Sequence, residues 1–126
     1  MKVLFICEHG SAKSVIAAAH FDRIAHERGL ESRSVSRGTH PDDAYPPHVL
    51  AGLAGDELAP LDESPRKLSD TDFAEATHVI AFCDVEVPDD LRAKLYSWTD
   101  VPAVSDSYEA ARQEIVRRIE RILSVM

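Results

Sequence analysis

The stretch Val3-Leu4-Phe5-Ile6-Cys7-Glu8-His9-Gly10-Ser11-Ala12-Lys13-Ser14 carries the reading of the whole chain. An apolar run of the buried-strand type ends on a thiol, turn-forming residues follow, and a helix begins at Lys13. Consecutive backbone N–H groups in such a turn, together with a helix N-terminus, form a positive concavity that suits a phosphate-shaped anion. Glu8, His9, Gly10, Ser11, Ala12, Lys13 and Ser14 are therefore the expected oxyanion-binding loop, with Cys7 beneath it. The same field favours the thiolate form of a cysteine, which is the nucleophile. Ser14 is placed to give its hydroxyl hydrogen to the sulfur, and Lys13 adds a point charge at the rim. Most free cysteines are simply small buried residues. A loop of Gly, Ser and Ala leading into Lys-Ser is more than such a residue needs.

A nucleotide-binding phosphate loop is the competing reading. Gly10-Ser11-Ala12-Lys13-Ser14 resembles its tail, and Val79-Ile80-Ala81-Phe82-Cys83-Asp84 resembles the strand and aspartate that hold magnesium. That motif needs glycine where this chain has Cys7 and Ala12, so the oxyanion-trap reading is preferred.

Outward from the loop, β and α patterns alternate without a linker or a repeat. Strands are expected at 2–6, 31–36, 78–83 and 93–98, and helices at 13–28, 46–54 (entered through Pro46-Pro47) and 69–76. The last helix is the clearest element: Tyr108, Ala111, Ile115, Ile119 and Ile122 follow a 3.6-residue period, with Arg117, Arg118 and Glu120 on the other side. This alternation predicts a single α/β domain over residues 1–126, a three-layer α/β/α arrangement around a four-stranded parallel sheet. The site belongs at the C-terminal ends of the strands, where Cys7 and Cys83 emerge.

Composition narrows the function. With 126 residues, 22 acidic against 14 basic side chains and a formal charge of −8, the chain suits neither nucleic acid nor an anionic membrane as main partner. The opening apolar stretch is short and is broken at once by Glu8 and His9, unlike a signal segment, so a cytoplasmic protein is expected. Two cysteines fit a reducing compartment and a reactive thiol better than a disulfide framework. No cofactor is called for. The histidines suggest no metal site: His20 and His26 face different directions on one helix, and His40 and His48 flank a proline-rich loop, all four reading as surface residues. His9 alone is placed to tune Cys7.

Cys7, five residues and Lys13-Ser14 resemble the Cys, five residues, Arg-Ser signature of the low-molecular-weight protein tyrosine phosphatases and of the arsenate reductases that share their fold. Ser36-Arg37-Gly38-Thr39, Arg66-Lys67-Leu68 through Asp72-Phe73, and Trp98-Thr99-Asp100-Val101-Pro102-Ala103 resemble later segments of that family, so the likeness runs over nearly the whole chain. The cysteine loop is its specific part. The departures are Lys13 for arginine, which replaces a two-point fork by a single ammonium, and Glu8-His9 where apolar residues are common.

The resemblance implies a cysteine-dependent phosphatase acting on phosphomonoesters of the phosphotyrosine type through a cysteinyl-phosphate, with Cys7 as nucleophile and Lys13 at the oxyanion. It also implies a loop carboxyl as acid, usually in an Asp-Pro pair. Asp100 is preferred for this role because it lies near that position; Asp106 is the alternative, though Asp106 with Glu109 three residues on reads as a helix-capping pattern. Arsenate reduction is the second reading: Cys83 matches the cysteine that attacks the oxidised nucleophile, while the segment after it supplies no further thiol. A small thiol or thioredoxin is then the implied partner. A non-catalytic oxyanion binder is the third. Trp98 and Tyr108 suit either the wall of an aryl pocket or the core.

Overall fold

The structure, a computed structural model, describes residues 1–125. Strand β1 (Lys2–Cys7) lies inside a four-stranded parallel sheet of order β2-β1-β3-β4, with β2 at Arg33–Gly38, β3 at His78–Ala81 and β4 at Leu95–Ser97. Because successive strand residues face opposite sides, Val3, Phe5 and Cys7 join one apolar cluster while Leu4 and Ile6 join the other. Helices α1 (Lys13–Glu27), α2 (Pro47–Gly55) and α4 (Tyr108–Val125) cover the first face. Helix α3 (Asp70–Glu75) and a 3₁₀ turn at Asp89–Lys94 cover the second. The predicted layered α/β fold is thus the observed one. Among the described residues, no helix is long and apolar enough to cross a membrane.

Local chemistry sets the element ends. Helix α1 stops at Gly29, whose φ of +69° needs a residue without a Cβ. Gly29 N–H bonds the His26 carbonyl at 3.0 Å and Leu30 N–H bonds that of Ala25 at 2.9 Å, satisfying two orphan carbonyls of the last turn. The next strand consequently starts at Arg33, two residues after the expected position, and runs to Gly38 in register with Cys7. Strand β3 ends at Ala81 instead of residue 83, because its partner β4 is only three residues long and pairs no further than Ala81 with Ser97. The early half of the expected fourth strand is the 3₁₀ turn, pinned by buried Leu91. On α4, Ala111, Ile115, Ile119 and Ile122 are buried as the periodicity predicts, and Leu123 with them.

Phe5 anchors the larger core, its ring centroid 5.8 Å from Phe21 and 6.4 Å from Trp98. Trp98, with 7 % of its surface exposed, belongs to this core. Full burial of an aromatic of this size contributes roughly 1.5–3 kcal/mol, and the Phe5–Phe21 contact joins the sheet to α1. Tyr108 is half-buried; its hydroxyl donates to Asp56 Oδ2 at 3.4 Å.

His20 corrects an expectation. It is 2 % exposed, not on the surface, because α4 packs beside α1 and Asp56, at the end of α2, comes within 3.4 Å of its ring. Arg23 donates to its Nδ1 at 3.1 Å, which places the imidazole proton on Nε2. Nε2 stands 3.4 Å from Asp56 Oδ2 without the alignment of a hydrogen bond. Burial above all, then Arg23, lowers its pKa from 6.5 to about 4 against the pull of Asp56. The unfolded chain therefore takes up this proton first, and stability is lost as pH falls from about 6.5 toward about 4. The expected loss at pH 5 is about 2 kcal/mol relative to neutrality. Chemical denaturation at pH 7 and pH 5 checks this, with His20→Gln flattening the dependence.

Candidate active site

Cys7 ends β1, and the chain then turns through Glu8–Ala12 into α1. Gly10 adopts φ +60°, and a Cβ on it would stand 2.8 Å from Gly38 N; a Cβ on Gly38 would stand 2.7 Å from Gly10 N. Two glycines are therefore required for the loop to lie against the end of β2. The segment after β2 takes up the loop's carbonyls: Thr39 N–H bonds Cys7 O at 3.2 Å, His40 bonds Glu8 O at 2.7 Å, and Asp42 bonds His9 O at 3.0 Å. Among the described residues, none of the N–H groups of Glu8–Ser14 has a protein acceptor. Ala12 gives α1 no side-chain cap. Carbonyls are held outward and amides are left free, the arrangement that an anion concavity needs.

Ser14 is fully buried, with its Oγ 2.9 Å from Cys7 Sγ. Ser36 donates to Ser14 Oγ at 2.8 Å, so the Ser14 hydrogen is free to point at sulfur. A hydroxyl so directed would stabilise negative charge on the Cys7 sulfur. Ser36 was not among the residues expected in the site; its signal was the Ser36-Arg37-Gly38-Thr39 motif, whose role depends on strand pairing. Arg37, beside it, bonds Asp72 at 3.0 Å and Asp62 at 3.3 Å and holds the end of β2 to the loops around it.

A cavity of about 370 Å³ opens over the thiol, lined by Cys7, Glu8, Lys13, His48, Phe82 and Cys83 among others, and closed on one side by Ala103, Val104 and Ser105. Lys13 lines it, but its ammonium donates to the Val101 carbonyl at 2.8 Å, tying the phosphate-type loop to the segment before α4. Val101 and Val104 are buried and fix that segment in the core. Trp98 and Tyr108 do not line this cavity; Phe82 does. Cys83 lines it as expected. Burial first, then the negative charge of Cys7, Glu8 and Asp84, pushes the Cys83 thiol up.

The two candidate acids part company. Asp100 forms a two-point pair with Arg118, at 2.9 and 3.0 Å, on a separate groove formed with Tyr96 and Trp98. The hydrogen bonds from Arg118 hold its carboxyl below the usual carboxylate range. Asp106 directly follows the cavity-lining Ser105, and its carboxylate is exposed. The expected capping role of Asp106 is corrected: α4 begins at Tyr108, and Ser107 Oγ accepts from Ala110 N–H at 3.1 Å. The N–H groups of both Asp106 and Ser107 turn back onto Ala103 O, at 3.1 and 3.2 Å, and this turn leaves Ser107 at the head of α4. Among the described residues no cluster of His, Cys, Asp or Glu is arranged to hold a metal ion.

Because the thiol relay and free amides surround Cys7 only, iodoacetamide is expected to modify Cys7 much faster than Cys83, with phosphate, vanadate or arsenate protecting it. Mass mapping of the alkylated peptides with and without oxyanion checks this. Equal rates would remove the anion site.

The comparisons with known proteins agree with this geometry. The chain superposes on the low molecular weight protein tyrosine phosphatase of T. tengcongensis with a TM-score of 0.87 at 18% identity, covering 100% of this chain and 99% of that one. It is similar to the arsenate reductase of Archaeoglobus fulgidus, with a TM-score of 0.79, 25% identity, and coverage of 97% and 98%. It is also similar to a Corynebacterium glutamicum thioredoxin-dependent arsenate reductase, with a TM-score of 0.81, 27% identity, and coverage of 98% of this chain and 60% of that one. No curated protein matches by sequence. The family profile of the low molecular weight phosphotyrosine protein phosphatases matches residues 2–119, and the chain belongs to that family.

Proposed function

We propose that this chain hydrolyses phosphomonoesters through a cysteinyl-phosphate. The observation that carries the reading is the Ser36-Ser14-Cys7 relay beneath a ring of backbone N–H groups with no protein acceptor. Cys7 Sγ attacks phosphorus in line, the ester oxygen leaves with a proton, and the loop amides hold the non-bridging oxygens. Lys13, a single ammonium, adds charge at the rim without the two-point grip of a guanidinium.

Asp106 is assigned the acid's role in place of Asp100. A general acid must reach the leaving oxygen and be able to hold a proton. Asp100 is clamped by Arg118 in another groove and its carboxyl is held ionised, whereas Asp106 adjoins the cavity wall with no ion pair or side-chain hydrogen bond among the described residues. In the second step the Asp106 carboxylate takes a proton from water as its oxygen attacks phosphorus. The S–P bond breaks, and phosphate and the Cys7 thiolate are restored.

Arsenate reduction is the second reading, favoured by Cys83 on the same cavity as Cys7. Reduction of arsenate to arsenite takes two electrons, which two thiols supply as they join in a disulfide. With two cysteines in the chain, an external small thiol or thioredoxin must then restore Cys7. Turnover assays with an aryl phosphate and with arsenate, each with no reductant, a monothiol, or thioredoxin and its reductase, separate the readings. The expected result is repeated phosphate release without stoichiometric thiol consumption, and arsenite only when thiol is added. Arsenite formation far exceeding phosphate release would reverse the order of the two. Tight oxyanion binding with neither product would leave a binding protein.

A further inference from the structure

A carboxylate stands at the mouth of the cavity, beside the loop of free amides. Glu8 and Lys13 are the formally charged side chains lining it at neutral pH, and the Lys13 ammonium is already bonded to Val101 O. Behind the loop, Asp42 accepts from Ser11 Oγ at 2.7 Å and lies 3.4 Å from His9 Nδ1. Glu8 Oε2 is 3.9 Å from the other ring nitrogen of His9. The field of Glu8 also reaches the cavity floor, since it contributes to holding the Cys83 thiol up. The Glu8 side chain is 63% exposed at the opening, where a substrate group can approach it.

A carboxylate beside an anion pocket repels ligands that bring only negative charge and favours those whose own cation can sit against it. We propose that Glu8, backed by Asp42, selects phosphomonoesters that carry a cationic group next to the phosphate, namely phosphopeptide segments with Lys or Arg flanking the phosphorylated residue. This rests on the phosphatase reading above. Neighbouring residues of an extended peptide have Cα atoms about 3.8 Å apart, so a flanking ammonium or guanidinium can reach the rim while the phosphoryl group occupies the loop. Acidic flanks would add to the repulsion.

The test uses two phosphotyrosyl peptides of equal length, one flanked by lysines and one by glutamates, with 4-nitrophenyl phosphate as a small reference substrate. The expected kcat/KM ratio favours the lysine peptide by about tenfold at low salt and falls toward unity at high salt, as pairing of exposed charges is screened. Glu8→Gln should reduce the ratio at least about threefold, while Glu31→Gln, the same charge change far from the cavity, should leave it alone. A wild-type ratio near one, a reversed ratio, or a ratio equally altered by both variants would overturn the proposal. Hydrolysis of 4-nitrophenyl phosphate with both peptides inert would overturn it too, leaving the phosphatase reading intact. If nothing is hydrolysed, that reading fails, and the same ratio read from peptide dissociation constants of the wild-type protein and both variants decides the selectivity.

Discussion

Cys7→Ser is expected to lower hydrolysis of an aryl phosphate by at least about 10⁴-fold, while Cys83→Ser lowers it by less than about threefold. A serine hydroxyl at position 7 keeps the shape of the loop and its free amides, so oxyanion binding should persist. What it loses is the nucleophile: the Ser14 hydroxyl, 2.9 Å from sulfur and bonded from behind by Ser36, is oriented to support a negative sulfur, and it contains no base able to deprotonate an alcohol. Activity and phosphate affinity measured on the same preparations check both halves. Residual turnover within about tenfold of wild type in Cys7→Ser would show that another group performs the attack. A comparable collapse in Cys83→Ser would make the second thiol part of the phosphatase chemistry and not a bystander on the cavity wall.

Asp106→Asn is expected to lower kcat by about 10²–10³-fold for alkyl phosphates, whose leaving groups need a proton, and much less for 4-nitrophenyl phosphate. Asp100→Asn should leave both rates within about twofold, because it removes a partner of Arg118 and nothing that faces the thiol. The contrast between leaving groups is the diagnostic readout, since a merely structural defect would slow both substrates alike. The opposite assignment of effects would require the segment from Asp100 to Ser107 to rearrange, breaking both the Asp100–Arg118 pair and the Lys13–Val101 bond.

How much of this was readable beforehand depended on the range over which each residue acts. Cys7, Gly10 and Ser14 are fixed by a strand, a turn and a helix start that follow one another directly, so local rules were sufficient to bring them together. The Asp100–Asp106 choice was not local. Proximity to an Asp-Pro-like segment pointed to Asp100, and the capping pattern Asp106 to Glu109 pointed Asp106 toward a structural duty. The partner that removes Asp100 lies on the last helix, at Arg118, and the residue that takes the cap is Ser107. His20 was misread for a related reason. Its helix position looks like one of several polar sites, and only the approach of α4 and of Asp56 at the end of α2 buries it.

The sequence by itself determined the alternation of strands and helices, the thiol at the end of the first strand and the tight turn into the helix after it, because periodicity and turn chemistry act between near neighbours. Tertiary structure alone decided that Ser36 reaches Ser14, that Lys13 binds a carbonyl 88 residues away, and that Asp100 faces elsewhere. These contacts are set by strand order and helix packing, and the side chains that make them carry no periodic signature of their own.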